Sequence, residues 1–217
     1  QTSTNRSNHA IDIAIIGLAV RTSGADDSET FWNNISQGIE SIRNFTPTEL
    51  NNAGINKSMI NNPNYVRRAG IIEHYQYFDA DFFNFTPNEA KAMDPQHRLL
   101  YECVWTALEN AGINPDNSDK KIGMYASQSK SNYHQEHVKS NESITKNLGQ
   151  YQLNLLNNAD FLATKISYKF NLTGPSLNIQ TGCSSSLVAV DTAVAHLRAG
   201  KCSIAIAAGT RIKNQPG

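Results

Sequence analysis

Apolar positions along this chain switch repeatedly between the spacing of strands and that of helices. Ile11-Asp-Ile-Ala-Ile-Ile-Gly17 is a short apolar run closed by a glycine, which predicts a strand buried in a parallel or mixed sheet. Phe31, Trp32 and Ile35 then share one helical face, with Ser28 as the cap and Gly38 as the stop, and that face is expected to cover the sheet. The Asn-rich stretch from Thr46 to Pro63 reads as loop with one short helix around Pro47 to Asn52. Asp94 is a good N-cap, and Pro95 at the first helical position costs no hydrogen bond. Behind them Leu99, Leu100, Cys103, Val104, Ala107, Leu108 and Ala111 recur at helical spacing until Gly112.

The second half repeats the alternation. Lys121 to Ser127 reads as a strand, and the polar stretch from Gln128 to about Gln150 is a long excursion of the kind that lines a site or an interface. A helix is expected near Asn158 to Phe170 and a turn at Gly174-Pro175. A strand should follow from Ser176 to Thr181, a helix rich in small residues from about Cys183 to Ala199, and a last strand from Ser203 to Ala208. This order predicts an α/β layered fold with helices packed on a sheet.

Composition removes several function classes. Nineteen basic residues balance nineteen acidic ones in the 217-residue chain, so charge gives no case for a nucleic acid or an anionic membrane as partner. The apolar runs are far shorter than the roughly 20 residues of a membrane span. Cys103, Cys183 and Cys202 form neither a metal-binding spacing nor an even disulfide set, which fits a reducing cytoplasm and no metal. Gln1 to His9 is polar, lacks the apolar core of a signal peptide and reads as the end of a linker, through residue 10.

The chemistry concentrates at Thr181-Gly-Cys-Ser-Ser-Ser-Leu187, where a cysteine falls between a strand end and a helix start and Gly182 permits a sharp turn before it. A helix N-terminus stabilises a thiolate, which makes Cys183 a candidate nucleophile, and the same N–H groups, that of Cys183 included, can hold a thioester oxyanion. Val188, Ala189, Val190, Ala193, Val194, Ala195 and Leu197 make the helix behind it small and apolar on most sides, as expected for a helix in the domain centre. Pattern alone leaves the alternative open that Cys183 is a small buried hydrophobe, as most free cysteines are.

No histidine is placed beside it. His196 lies thirteen residues along the same helix, roughly 20 Å away at 1.5 Å per residue. His134 and His137 lie in the polar excursion and read as solvated loop residues, and His9, His74 and His97 have no sequence relation to the cysteine. Cys103 belongs to an apolar helix stripe and Cys202 precedes a strand, so both read as structural. Asp94, Arg98 and Glu102 are explained by a helix cap and an i, i+4 charge pair, and Arg67-Arg68 by a solvated face or an ion pair.

Taken together, these segments resemble the beta-ketoacyl synthase domains of modular polyketide synthases, in the thiolase-like superfamily. The resemblance rests on Ile13 to Gly17, Gly24 to Asp27 with Phe31-Trp32, Phe78 to Phe83, Met93 to Leu99 through Ala107 to Gly112, Asn171 to Ser176, and Cys183 to Leu187. They occur in the family's order and spacing over nearly the whole chain. The resemblance implies a thiolase-like layered fold, a mixed sheet with helices on both faces, of which residues 11–217 would be the N-terminal half. It also implies that Cys183 takes an acyl chain from the phosphopantetheine arm of an acyl carrier protein, after which a malonyl-type unit on a second carrier attacks it in a decarboxylative Claisen condensation. No tightly bound cofactor is implied.

The family draws two further histidines from a C-terminal half, so this chain alone is expected to be inactive. The family also pairs as a homodimer through the strand leading to the cysteine, which places Ser176 to Gln180 at a subunit interface. Gly182 stands where alanine is usual, and Ala207-Ala208-Gly209 where a glycine pair is frequent; both occur in synthases that borrow their acyltransferase from a separate protein. Three rivals remain at this point: a ketosynthase that transfers acyl chains without extending them, a thiolase-like enzyme using coenzyme A thioesters, and a non-catalytic partner protein. Cys183 counts against the last, and the segments at Gly24 to Trp32 and from Asp94 count against the second.

Overall fold

A computed structural model describes residues 12–117 and 119–212. The linker assigned to residues 1–10 and the Ile11 end of the first predicted strand lie outside them.

The elements follow in chain order. Helix α1 (Ser28–Ser36) leads to strand β1 (Arg43–Asn44), helices α2 (Pro47–Asn52) and α3 (Lys57–Ile60) and strand β2 (Arg68–Ala69). Then come α4 (Pro87–Ala92), α5 (Pro95–Asn110), β3 (Ile122–Gln128), α6 (Glu142–Asn147), α7 (Gln150–Asn157) and α8 (Leu162–Lys169). The chain closes with β4 (Ser176–Asn178), α9 (Ser185–Arg198) and β5 (Ile204–Thr210).

The main sheet has three parallel strands in the order β4-β3-β5, and β1 pairs antiparallel with β2 in a separate small sheet. Parallel neighbours need crossovers, and helices supply them on both faces. Alternation along β3 sends Ile122, Met124 and Ala126 into a large core with Leu100, Val104 and Ile166 of α5 and α8. Tyr125 points the other way, against Ala189 and Ala193 of α9. The layered α/β arrangement with helices on both faces is therefore the one expected. Beneath α5 the large core is aromatic: Phe83 stacks on Phe78 at 5.2 Å and packs 5.9 Å from Tyr101. A smaller core of Phe45, Leu50 and Ile60 supports β1 and β2.

Local signals place several elements well. Asp94 caps α5 by accepting from the Gln96 N–H, with Pro95 in the first turn. The short helix α2 spans the predicted residues, because Thr46 and Glu49 form a capping box around Pro47. The same device, Thr86 with Glu89 around Pro87, builds α4, which the apolar pattern does not announce.

Other expectations are corrected. Residues 12–17 form no strand, and Ile15 is 89% exposed. Leu18 N–H bonds to Asn110 Oδ1, so the segment runs along the end of α5, while a groove of about 370 Å³ lies between Ile16 to Thr22 and β5. Since β5 is paired only with β3 among the described residues, no ladder partner reaches the segment, and without one an apolar run stays irregular.

Helix α1 is capped by Asp27 rather than Ser28 and buries no residue; Trp32 is 67% exposed, so the helix does not cover the sheet. The predicted Arg98–Glu102 pair is replaced by Glu102 with Arg21 at 3.5 Å, while buried Arg98 donates to the Gln76 carbonyl. The excursion after β3 is not all loop, since it holds a π-helical turn at His134–Val138 and the helix α6, and α7 begins where it ends. Arg68 pairs with Glu40 at 3.1 Å, as the plain reading of Arg67-Arg68 allows.

Candidate active site

Because β3, β4 and β5 are parallel, their carboxyl ends share one edge of the sheet, the edge at which α/β proteins hold their ligands. Strand β4 is fixed there by α8: Ser167 Oγ donates to Ser176 Oγ at 3.0 Å, and Asn178 Oδ1 accepts from the Ala163 N–H at 2.9 Å. Beyond Asn178 the Ile179 N–H still bonds to the Ala126 carbonyl, and then the chain leaves the sheet.

The turn that follows carries the cysteine. Gly182 has φ +67°, a left-handed conformation in which a side chain would be strained, and Gly182–Ser184 form one 3-10 turn before α9 begins at Ser185. The helix proper thus starts two residues later than the sequence pattern suggests. Hydroxyl contacts of Ser184 and Ser185 staple the turn. Ser185 Oγ accepts from the Thr181 N–H at 2.8 Å and donates to the Gly182 carbonyl at 2.8 Å, while Ser184 Oγ donates to the Thr181 carbonyl at 2.9 Å. Sequence reasoning missed this role of the serines, although the Ser184-Ser185-Ser186 run directly after the cysteine is the signal for it.

Cys183 itself is exposed, at the head of α9. Among the described residues the thiol is therefore not packed as a small buried hydrophobe. The other two thiols differ. Cys202 is buried just before β5, and Cys103 is partly buried on α5, where desolvation pushes its thiol up. Cys103 also lines the groove beside β5 instead of lying wholly within the core.

Helix α9 departs from the expectation of burial on most sides. Its buried residues are Ser185, Ala189 and Ala193, and on the opposite face Leu187 is 74% exposed. At its first turn the contact with β5 is close, since a Cβ on Gly209 would lie 2.8 Å from Ser186 Cβ and 3.1 Å from Ser127 Oγ.

Four of the five described histidines have other partners, whereas His134, expected as a solvated loop residue, sits in the π-helical turn with its Nδ1 buried and without a hydrogen-bond partner. His97 Nε2 bonds to Gln128 Oε1 at 2.6 Å, and His196 Nδ1 to Tyr125 Oη at 2.9 Å. His137 packs on Tyr133, and His74 on Tyr77. The excursion after β3 does line a polar pocket of about 400 Å³, with Tyr75, Asp94, Gln96, Lys130, Tyr133 and His137 in its wall. Among the described residues no cluster of three His, Cys, Asp or Glu side chains is arranged to hold a metal, and no helix is long and apolar enough to cross a membrane.

Comparison with known proteins agrees with this geometry. The family model described as "Beta-ketoacyl synthase, N-terminal domain" matches residues 10–217. A component of the phenolphthiocerol/phthiocerol polyketide synthase of Mycobacterium tuberculosis is 44% identical over 206 residues, which cover 92% of this chain and 14% of that protein. The pikromycin polyketide synthase component PikAII of Streptomyces venezuelae is 34% identical over 213 residues, 94% of this chain and 6% of its own length. Among solved structures, ketosynthase twelve of the bacillaene polyketide synthase from Bacillus amyloliquefaciens superimposes with a TM-score of 0.82 at 32% identity, covering 94% of this chain and 35% of that one. The ketosynthase from module 1 of the bacillaene synthase of the same species gives 0.79 at 33% identity, covering 94% and 36%. The chain thus spans about a third of the ketosynthases it superimposes on and much less of the curated synthases. It belongs to the beta-ketoacyl synthase family, as the N-terminal domain of a polyketide synthase ketosynthase.

Proposed function

We propose that Cys183 is the acyl acceptor of an elongating polyketide ketosynthase. The observation that carries this reading is the exposed thiol in the stapled turn between β4 and α9, next to the open N–H groups and positive end of a 14-residue helix. The Cys183 thiolate attacks the thioester carbonyl of an acyl chain delivered on the phosphopantetheine of an acyl carrier protein, and the phosphopantetheine thiolate leaves. The Cys183 N–H holds the oxyanion of the tetrahedral intermediate. A malonyl-type thioester on a second carrier then loses carbon dioxide, and the resulting enolate carbon attacks the Cys183 thioester. One carbon–carbon bond forms and the cysteine thiolate is released.

The two histidines required for decarboxylation would come from residues outside those described, in keeping with the partners that His74, His97, His137 and His196 already have. The outer edge of β4 is unpaired among the described residues, which supports pairing of Ser176 to Gln180 with the same strand of a second copy. Three free cysteines fit a cytoplasmic setting.

The test is acyl transfer in the intact ketosynthase that contains this chain. Incubation with acyl carrier protein charged with an acyl chain should leave that chain on the Cys183 peptide and none on the Cys183→Ala variant. Acyl label on another residue, or none, overturns the reading. Addition of malonyl carrier protein should release carbon dioxide and give a β-ketoacyl carrier; loading without either product would make this a transferring rather than an elongating ketosynthase. Size-exclusion measurement of that domain as a monomer would overturn the β4 pairing.

A further inference from the structure

At the far end of α9 from Cys183, a chain of polar side chains joins three elements. Lys201 Nζ lies 3.4 Å from His196 Nε2, His196 Nδ1 lies 2.9 Å from Tyr125 Oη, and Tyr125 Oη lies 3.6 Å from Cys202 Sγ. A protonated lysine only donates, so His196 Nε2 accepts, its Nδ1–H donates to Tyr125 Oη, and the Tyr125 hydroxyl donates to the Cys202 sulfur. The direction is consistent from end to end. It connects the last turn of α9 to the middle of β3 and the residues that lead into β5, and the ring of His196 also meets the Tyr125 ring edge-on at 5.5 Å. Tyr125 is fully buried, so its hydroxyl has no water to fall back on.

This contact matters because, beyond the first turn, the apolar seat of the helix is smooth. The apolar residues that α9 buries are Ala189 and Ala193, and methyl groups offer little ridge to resist sliding along the helix axis. A slip of one residue moves a helix by about 1.5 Å. Displacement of that size at a nucleophile is enough to cost about 100-fold in rate.

We propose that Tyr125 and His196 are positioning residues that fix α9 along its axis and thereby set where Cys183 meets its thioester. The inference rests on the reading of Cys183 as the acyl acceptor. Neither residue touches the substrate; both act through the helix.

The experiment loads the intact ketosynthase from an octanoyl N-acetylcysteamine thioester and follows acyl-enzyme by intact mass, with the melting temperature of each variant measured in parallel. Tyr125→Phe and His196→Leu should load about tenfold more slowly at saturating thioester, with the half-saturating concentration unchanged. His196→Asn, whose amide places a donor near the former Nδ1, should restore the rate to within about twofold. A structural role alone predicts a lower melting temperature with loading at the wild-type rate at a temperature where the variants are folded, and that result overturns the proposal. If Tyr125→Phe does not fold, equal loading by His196→Leu and His196→Asn overturns it instead. A wild-type enzyme that takes no acyl group removes the reading of Cys183, and this inference with it; a wild type that loads beside unaffected variants removes only this inference.

Discussion

Gly209 on β5 and Ser186 in the first turn of α9 approach so closely that a methyl group on the glycine would sit 2.8 Å from the serine Cβ. Gly209→Ala is therefore expected to destabilise the domain by about 1–3 kcal/mol, the usual cost of forcing a methyl group into filled space. Urea denaturation of the intact ketosynthase measures it. Because the strain is delivered two residues from the turn that holds Cys183, acyl loading should slow in the same variant. A variant as stable as the wild type would show that β5 can move away from α9.

A second prediction concerns acid. His97 is buried against Gln128, and desolvation holds its imidazole below the ordinary value of 6.5, against the pull of Asp94 and the hydrogen bond donated to Gln128 Oε1 that favour the charged form. The unfolded chain therefore takes up a proton near pH 6.5 that the folded chain refuses. Stability is full above that pH and declines as the pH falls from 6.5 toward the lowered folded value. Denaturation midpoints at pH 7.5 and 5.5 should differ, and His97→Gln should narrow the difference. An unchanged difference would assign the acid sensitivity to other groups.

At the α2 cap the sign is the same, with a carboxyl in place of an imidazole. The Thr46 N–H, then Arg43, hold the Glu49 carboxyl down from 4.5 to about 2. Its contribution is present above pH 4.5 and is lost as the pH falls toward 2. A carboxyl-carbon NMR titration should place the Glu49 midpoint near 2, and Arg43→Ala should raise it.

The aromatic cluster beneath α5 gives a prediction about stability alone. Phe83 is buried against Phe78, Tyr101 and Phe170, with ring centroids at 5.2, 5.9 and 6.1 Å. Phe83→Ala should cost about 3–5 kcal/mol, as truncation of a buried ring does. Thermal or urea unfolding would show it, and a loss below about 1 kcal/mol would mean that the cavity collapses almost fully.

These cases also separate what the sequence carries from what it does not. Asp94 with Pro95, and Thr46 with Pro47 and Glu49, act within four residues, so their helices are legible from neighbouring letters. Gly182 and Cys183 are legible for the same reason, since a turn residue, a thiol and three serines adjoin each other. The segment 12–17 misleads because strand pairing is a property of two segments, and an apolar run says nothing about whether a partner lies alongside. The face of Phe31, Trp32 and Ile35 misleads in the same way: periodicity marks an apolar side and not what covers it. Glu102 pairs with Arg21 and not Arg98, a contact across 81 positions of sequence that no local spacing encodes. Tyr125 and His196 stand 71 residues apart, and only the fold brings them together.

The strand β5 has one side paired with β3 and the other free among the described residues, beside a groove and the exposed Ile15. A bare strand margin of seven residues recruits backbone from any chain that meets it, including copies of itself. Handled alone at high concentration, this polypeptide would tend to zip margin to margin into aggregates, and a charged residue introduced at the exposed Ala207 is the simplest means of keeping such preparations monodisperse.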